Sequence, residues 1–177
     1  AMLAANLAKN EKKRKVFYFA RNIILDVDTG SDDAVAIMLS VLSKEINVIA
    51  IGTTYNLHGI EATTENTLRV LKMLGSNLPV YKGSPTPIVK DLTARAENSK
   101  KNKMGGTTPD GKQAQIHTKY LDLPAADRSF EKENAVAFYI RYLKECDGKI
   151  TFVMTGGMTN LALAIRIAPE IREKIEE

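Results

Sequence analysis

The sequence has no tryptophan, a single cysteine and only two histidines in 177 residues. The lone thiol, Cys146, cannot close a disulfide within the chain. A fold stapled by disulfides is excluded, and such sparing use of cysteine points to a reducing compartment. A cytoplasmic setting is the expectation. So few thiols and imidazoles form no Cys/His cluster of the kind that holds zinc. Long apolar runs are missing too: none approaches the about 20 residues needed to cross a bilayer. No repeat and no low-complexity tract interrupts the chain.

An excess of one charge is confined to the start. The net charge is +4. Residues 1–22 carry Lys9, Lys12, Lys13, Arg14, Lys15 and Arg21 against Glu11, a net +5, which leaves −1 for the rest. The basic character therefore belongs to a leader, read as a flexible solvated tail, and neither a nucleic acid nor a membrane is expected as a partner. Met2–Ala8 is short for the apolar part of a secretory signal, and the charges follow it instead of preceding it. Hydrophobic residues make up 44% of the chain, enough for one domain with a substantial core, placed at residues 23–177.

Apolar runs and helical patterns alternate from Ile23 onward. Ile23–Leu25 reads as a buried strand. A helix follows, capped by Ser31 or Asp32, with Val35, Ile37, Met38, Val41 and Leu42 as its apolar positions. Val48–Thr53 is a second strand, and about Ile60 to Leu74 a second helix that ends at Gly75. Pro79–Tyr81 is a short strand before the Gly83–Pro87 turn. From about Ile88 to Ser129 the periodicity fails, as in a functional flap or a disordered stretch. Phe130 to about Lys144 then reads as a helix with Ala137, Ile140, Tyr142 and Leu143 on its apolar stripe. Ile150–Met154 is a strand, a helix runs from Thr159 through Ile167, and Pro169 opens a last short helix. This order predicts an α/β fold: a mostly parallel, Rossmann-like sheet with helices on both faces.

In such sheets ligands bind beyond the carboxyl ends of the strands. That rule gathers three polar spots on one rim: Asp28–Asp33, Thr54–His58 and Thr155–Asn160. The first is the densest in chemistry. Asp26, Asp28, Asp32 and Asp33 fall within eight positions of one another. Carboxylates that close repel unless something compensates, and a hard divalent cation is what their oxygens prefer. Asp26 and Asp28 point the same way on an extended strand. A helix cap would explain one aspartate of the four, not the set. His58 and His117 read as loop residues.

The segment Asp26-Val27-Asp28-Thr29-Gly30-Ser31-Asp32-Asp33-Ala34 closely resembles the D-x-D-[PT]-G-x-D-D-A signature of the nucleoside hydrolases of the inosine-uridine-preferring type. Asn56 stands after the second strand as that family's asparagine does, and Gly83–Pro87 looks like its G-x-x-x-P turn. Val153–Ala162 is similar to its V-x-T-G-G-L-T-N-I-A segment. The resemblance covers about residues 23–170. It implies hydrolysis of the N-glycosidic bond of ribonucleosides with bound Ca2+, and dimers or tetramers of the whole protein. Carried over, Asp28 would be calcium ligand and general base, Asp33 would bind the ion with both oxygens, and Thr155 would offer its carbonyl. Asp32 and Asn56 would hold the ribose hydroxyls, with Asp26 and Asn160 in support.

Two departures stand out. Ser99–Gly106 keeps only the glycine end of the family's H-G-x-x-G-x-G element. The family's chain also runs on past the counterpart of Glu177, so the expectation is a fragment with an incomplete fold, an unpaired sheet edge and weak or no activity alone. Two other readings are a non-catalytic relative that binds metal or nucleoside and a haloacid-dehalogenase-like phosphatase with Asp26 as nucleophile.

Overall fold

The computed structural model describes residues 20–89, 109–111 and 118–176. Four strands, β1 (Arg21–Val27), β2 (Ile46–Thr53), β3 (Val80–Lys82) and β4 (Thr151–Met154), form one sheet in the order β3-β2-β1-β4. All three pairings are parallel. Among the described residues four α-helices connect or follow them: α1 (Ser31–Leu42), α2 (Ile60–Met73), α3 (Ala135–Glu145) and α4 (Thr159–Ile167). A 3-10 helix, Pro169–Lys174, comes last.

The strands sort their side chains by alternation. Ile23, Leu25 and Val27 face α1 and α2, where they meet Ala34, Ile37, Leu68 and Leu71. Ile24 faces the other layer, where Phe138, Tyr139, Leu143, Leu161, Ala164 and Ile171 close over it. Each layer removes several aliphatic or aromatic side chains from water, at about 1.5–3 kcal/mol apiece. Two hydrophobic clusters, one on each face, give the expected helix–sheet–helix sandwich.

Several boundaries differ from the sequence reading, each for a local reason. β1 takes in Arg21 and Asn22, assigned above to the leader, because the Arg21 amide donates to Glu45 O at 2.8 Å. Gly30, not Ser31 or Asp32, holds the cap position of α1. Ser31 and Asp32 already lie inside the first turn, and Asp33 reaches back to accept the Gly30 amide at 3.1 Å. Val35 and Leu42 are exposed with Leu39, so the buried stripe of α1 is narrower than its apolar content. Residues Phe130–Asn134 are not helical: the Glu131 amide donates to Val80 O at 2.8 Å. α3 begins only after Asn134, whose side chain accepts the Ala137 amide. Its buried residues are Ala135, Phe138, Tyr139 and Leu143; of the expected stripe Leu143 is buried, and Ile140 and Tyr142 are partly so.

Beyond the 3-10 helix the chain returns to the sheet. Ile150 and Ile175 make a parallel bridge on the outer side of β4, through Ile150 N to Lys174 O and Glu176 N to Ile150 O. The edge expected to be unpaired is thus partly engaged. Within the stretch read as irregular, residues 118–127 are docked on α2. Arg69 donates to the carbonyls of Leu121 and Leu123, and Leu121, Leu123 and Ala126 pack against the core. Ser99–Gly106 and His117 lie outside the described residues, as does the leader through residue 19. Among the described residues no helix is long and apolar enough to cross a membrane.

Candidate active site

The carboxyl ends of β1, β2 and β4 bring the three polar spots together on one rim. An open cleft of about 190 Å³ lies there, lined by Asp28, Gly30, Asp32, Asp33, Asn56 and His58. β1 ends at Val27, so Asp28 is the first residue of the loop and half-buried, while Asp33 is buried on the first turn of α1. Asp32 and Asp33 sit where the positive end of the helix favours negative charge.

Asp28 and Asp33 face each other. Burial first, then the neighbouring Asp33 carboxylate, push the Asp28 carboxyl up to about 6. Thr155, arriving from β4, donates its hydroxyl to Asp33 Oδ1. The site therefore presents two coupled carboxylates and a threonine, an all-oxygen donor set suited to a hard cation and not to zinc. Among the described residues no three His, Cys, Asp or Glu side chains converge as a ready cluster. The fit rests on the facing pair and the Thr155 hydroxyl beside it.

Asn56 is clamped. Its Nδ2 donates to Asp28 O at 2.9 Å and its Oδ1 accepts the His58 amide at 2.7 Å. One amide hydrogen and one lone pair stay available toward the cleft. Gly156 and Gly157 let the β4–α4 loop close on this wall: a Cβ on Gly156 would come within 2.6 Å of Thr54 Cγ2 and 3.0 Å of Asp28 Cβ.

Asp26 stands apart from the cleft. It is fully buried, and its Oδ2 accepts Tyr139 Oη at 2.6 Å and Asn160 Nδ2 at 2.9 Å. Burial raises its carboxyl to about 6 against the lowering effect of those two donors. A carboxylate so enclosed is not offered to a substrate as a nucleophile, which removes the phosphatase reading.

Sequence patterns missed part of the framework. Asn66, on α2, donates to Thr29 O and Lys119 O and accepts the Leu121 amide, tying the acid loop to the docked 118–127 stretch. Thr29 and Thr67 share a buried hydroxyl pair at 2.7 Å, and Thr53 and Thr64 another at 2.8 Å. The only hint in the sequence was a helix with threonines and an asparagine where a core stripe would carry aliphatics.

Comparison with known proteins places these features. The model of the family described as inosine-uridine preferring nucleoside hydrolase matches residues 23–177. The pyrimidine-specific ribonucleoside hydrolase RihB of Escherichia coli (strain SE11) is 36% identical over 157 residues, 89% of this chain and 46% of that protein. The solved purine-preferring ribonucleoside hydrolase from Gardnerella vaginalis superposes with a TM-score of 0.70 at 32% identity, over 88% of this chain and 46% of its own. A structure named inosine-guanosine nucleoside hydrolase does so with a TM-score of 0.70 at 27% identity, over 89% and 46%. The chain thus spans about half the length of the relatives it matches.

Proposed function

The chain belongs to the inosine-uridine-preferring nucleoside hydrolase family, and from that premise we propose that the polypeptide carrying it hydrolyses ribonucleosides to ribose and free base. The observation that carries the reading is the facing Asp28–Asp33 pair in the rim cleft, with Thr155 and Asn56 beside it.

Asp28, Asp33 and the carbonyl of Thr155 would hold Ca2+. A calcium ion bound there would lower the pKa of a nearby water and offset the repulsion of the two carboxylates. Asp28 is the general base: it takes a proton as the water oxygen forms its bond to the ribose anomeric carbon. The C–N bond breaks with its electron pair leaving on the base, through a transition state of oxocarbenium character. Asp32 and the Asn56 amide hold the ribose hydroxyls. A clamped Asn56 loses little entropy on binding and holds the sugar in a reactive pose. The relatives named above differ in base preference, and this chain is read as carrying the ribose and water side of the site.

The test is release of ribose from inosine and uridine by the polypeptide that carries this sequence. Asp28→Asn is expected to lower kcat by about 10³-fold, within the span of general base catalysis, with the circular dichroism spectrum unchanged. Wild-type turnover retained by that variant would overturn the assignment. The 177-residue chain on its own is expected to show little activity.

A further inference from the structure

The carboxylate of Asp26 is held in a closed arrangement that the chemistry above does not use. Its backbone and its side chain each grip one end of the β4–α4 loop. Asp26 O accepts the Thr155 amide at 3.0 Å, and Asp26 Oδ2 accepts Asn160 Nδ2 at 2.9 Å. Asn160 extends the grip. Its Nδ2 also donates to Thr53 O at 3.0 Å, and its Oδ1 accepts the Ser84 amide at 2.8 Å. One asparagine thus joins the ends of β1, β2 and β3 to the start of α4.

The remaining partner of Asp26 comes from the layer of helices behind the sheet. The Tyr139 ring is fully buried, edge-on to Phe152 with centroids 5.1 Å apart, and its hydroxyl reaches Asp26 Oδ2 at 2.6 Å. Two glycines make the arrangement possible. A Cβ on Gly52 would overlap the Tyr139 hydroxyl, and a Cβ on Gly83 would overlap the Asn160 amide. Asp26 Oδ1 is buried with no hydrogen-bond partner in the structure, so the carboxylate's orientation depends on the two donors to Oδ2.

We infer that Tyr139 is a positioning residue for the candidate active site. Through Asp26 and Asn160 its hydroxyl sets the conformation of the Thr155–Thr159 loop, and with it the oxygen donors that loop brings to the Asp28–Asp33 pair. The inference rests on the proposed function for its consequence at the metal, but not for the linkage itself. Loss of a hydrogen bond to a buried carboxylate releases its rotamer, and partners one shell removed from a metal commonly change its affinity by about 10- to 100-fold.

Tyr139→Phe removes one oxygen and keeps the ring. Two measurements on the polypeptide that carries this sequence decide the matter. Amide hydrogen exchange is expected to accelerate at Thr155 and through residue 159, with β1, β2 and α1 unchanged. Calorimetric titration with CaCl2 is expected to show affinity about 10-fold weaker than wild type. Asp26→Asn should reproduce both effects, and adding Tyr139→Phe to it should change little, because the two residues act in series. Exchange unchanged at residues 155–159, or accelerated equally across the sheet, overturns the inference, as does additivity of the two substitutions. A wild-type polypeptide that takes up no calcium overturns the metal assignment of the proposed function, and the exchange experiment still decides the role of Tyr139.

Discussion

Where the strands begin, the turns rest on backbone conformation. Gly75 and Gly148 take φ of 63° and 83°, and a Cβ on either would touch nothing. Where the strands end, Gly52, Gly83 and Gly156 have no positive φ, yet a Cβ on each would run into Tyr139, Asn160 or Thr54. At Gly75 and Gly148 glycine supplies a left-handed conformation, as it does at Gly59 before α2; at Gly52, Gly83 and Gly156 it supplies room. Room is needed there because buried polar side chains cross between elements: Asp26 to Asn160, Thr29 to Thr67, Thr53 to Thr64, and Asn66 to two loops. Buried polar links of this kind rigidify a site where their members are satisfied, and Asp26 Oδ1 and Thr54 Oγ1 are the members left without a partner. The rim that carries the candidate chemistry is the one built this way.

Substitutions can break that contrast, beginning with the largest effect. Gly52→Ala is expected to destabilise the chain by about 3 kcal/mol, the upper range for overpacking a filled site, and to displace Tyr139 from Asp26. Urea denaturation gives the first quantity, and the Tyr139 side-chain resonances report the second. A near-neutral Gly52→Ala would show that the crowding is relieved cheaply. Asn66→Ala follows at about 2 kcal/mol, since it strands buried hydrogen-bonding groups on both sides of α2. Faster amide exchange at Leu121 would separate loss of that tie from general loosening. At the opposite rim Gly75→Ala is expected to cost only about 1 kcal/mol, the penalty of a left-handed alanine, with no change at the cleft.

The smallest effect, taken between pH 6 and 7, is graded with pH. Asp26 and Asp28 are raised from an ordinary 3.8 to about 6 in the folded chain, mainly by burial. The native state then binds these protons more tightly than the unfolded state. Their stabilising effect is complete below about pH 3.8 and lost as the pH rises through 6. In chelator, thermal scans should show Tm falling as the pH rises from 4 toward 7, with about a degree or two of that fall between pH 6 and 7. Asp26→Asn should flatten the slope. A Tm that rises over this range would reverse the assignment of strain to the acidic rim.

Much of this was legible before folding. Ile23–Leu25, Val48–Thr53 and Ile150–Met154 announced buried parallel strands because residues covered on both faces are apolar without alternation. The rim position of Asp28, Asn56 and Thr155 followed from a topological rule. The start of α3 was not legible: Phe130–Asn134 looks helical, but a nonlocal hydrogen bond to Val80 claims its backbone. Nor was Tyr139, which reads as one more core aromatic until its hydroxyl meets an aspartate 113 residues away.

By itself the sequence determined the α/β class, the family and the cluster of acids at one rim, since these depend on local periodicity and on residues close together in the chain. The family resemblance already set Asp26 in support of Asp28, but only the tertiary structure decided what locks Asp26 behind the cleft. Asp26 and Asp28 are two positions apart on nearly the same chemistry, and their roles diverge because Tyr139 and Asn160, distant in sequence, fold over one carboxylate and not the other.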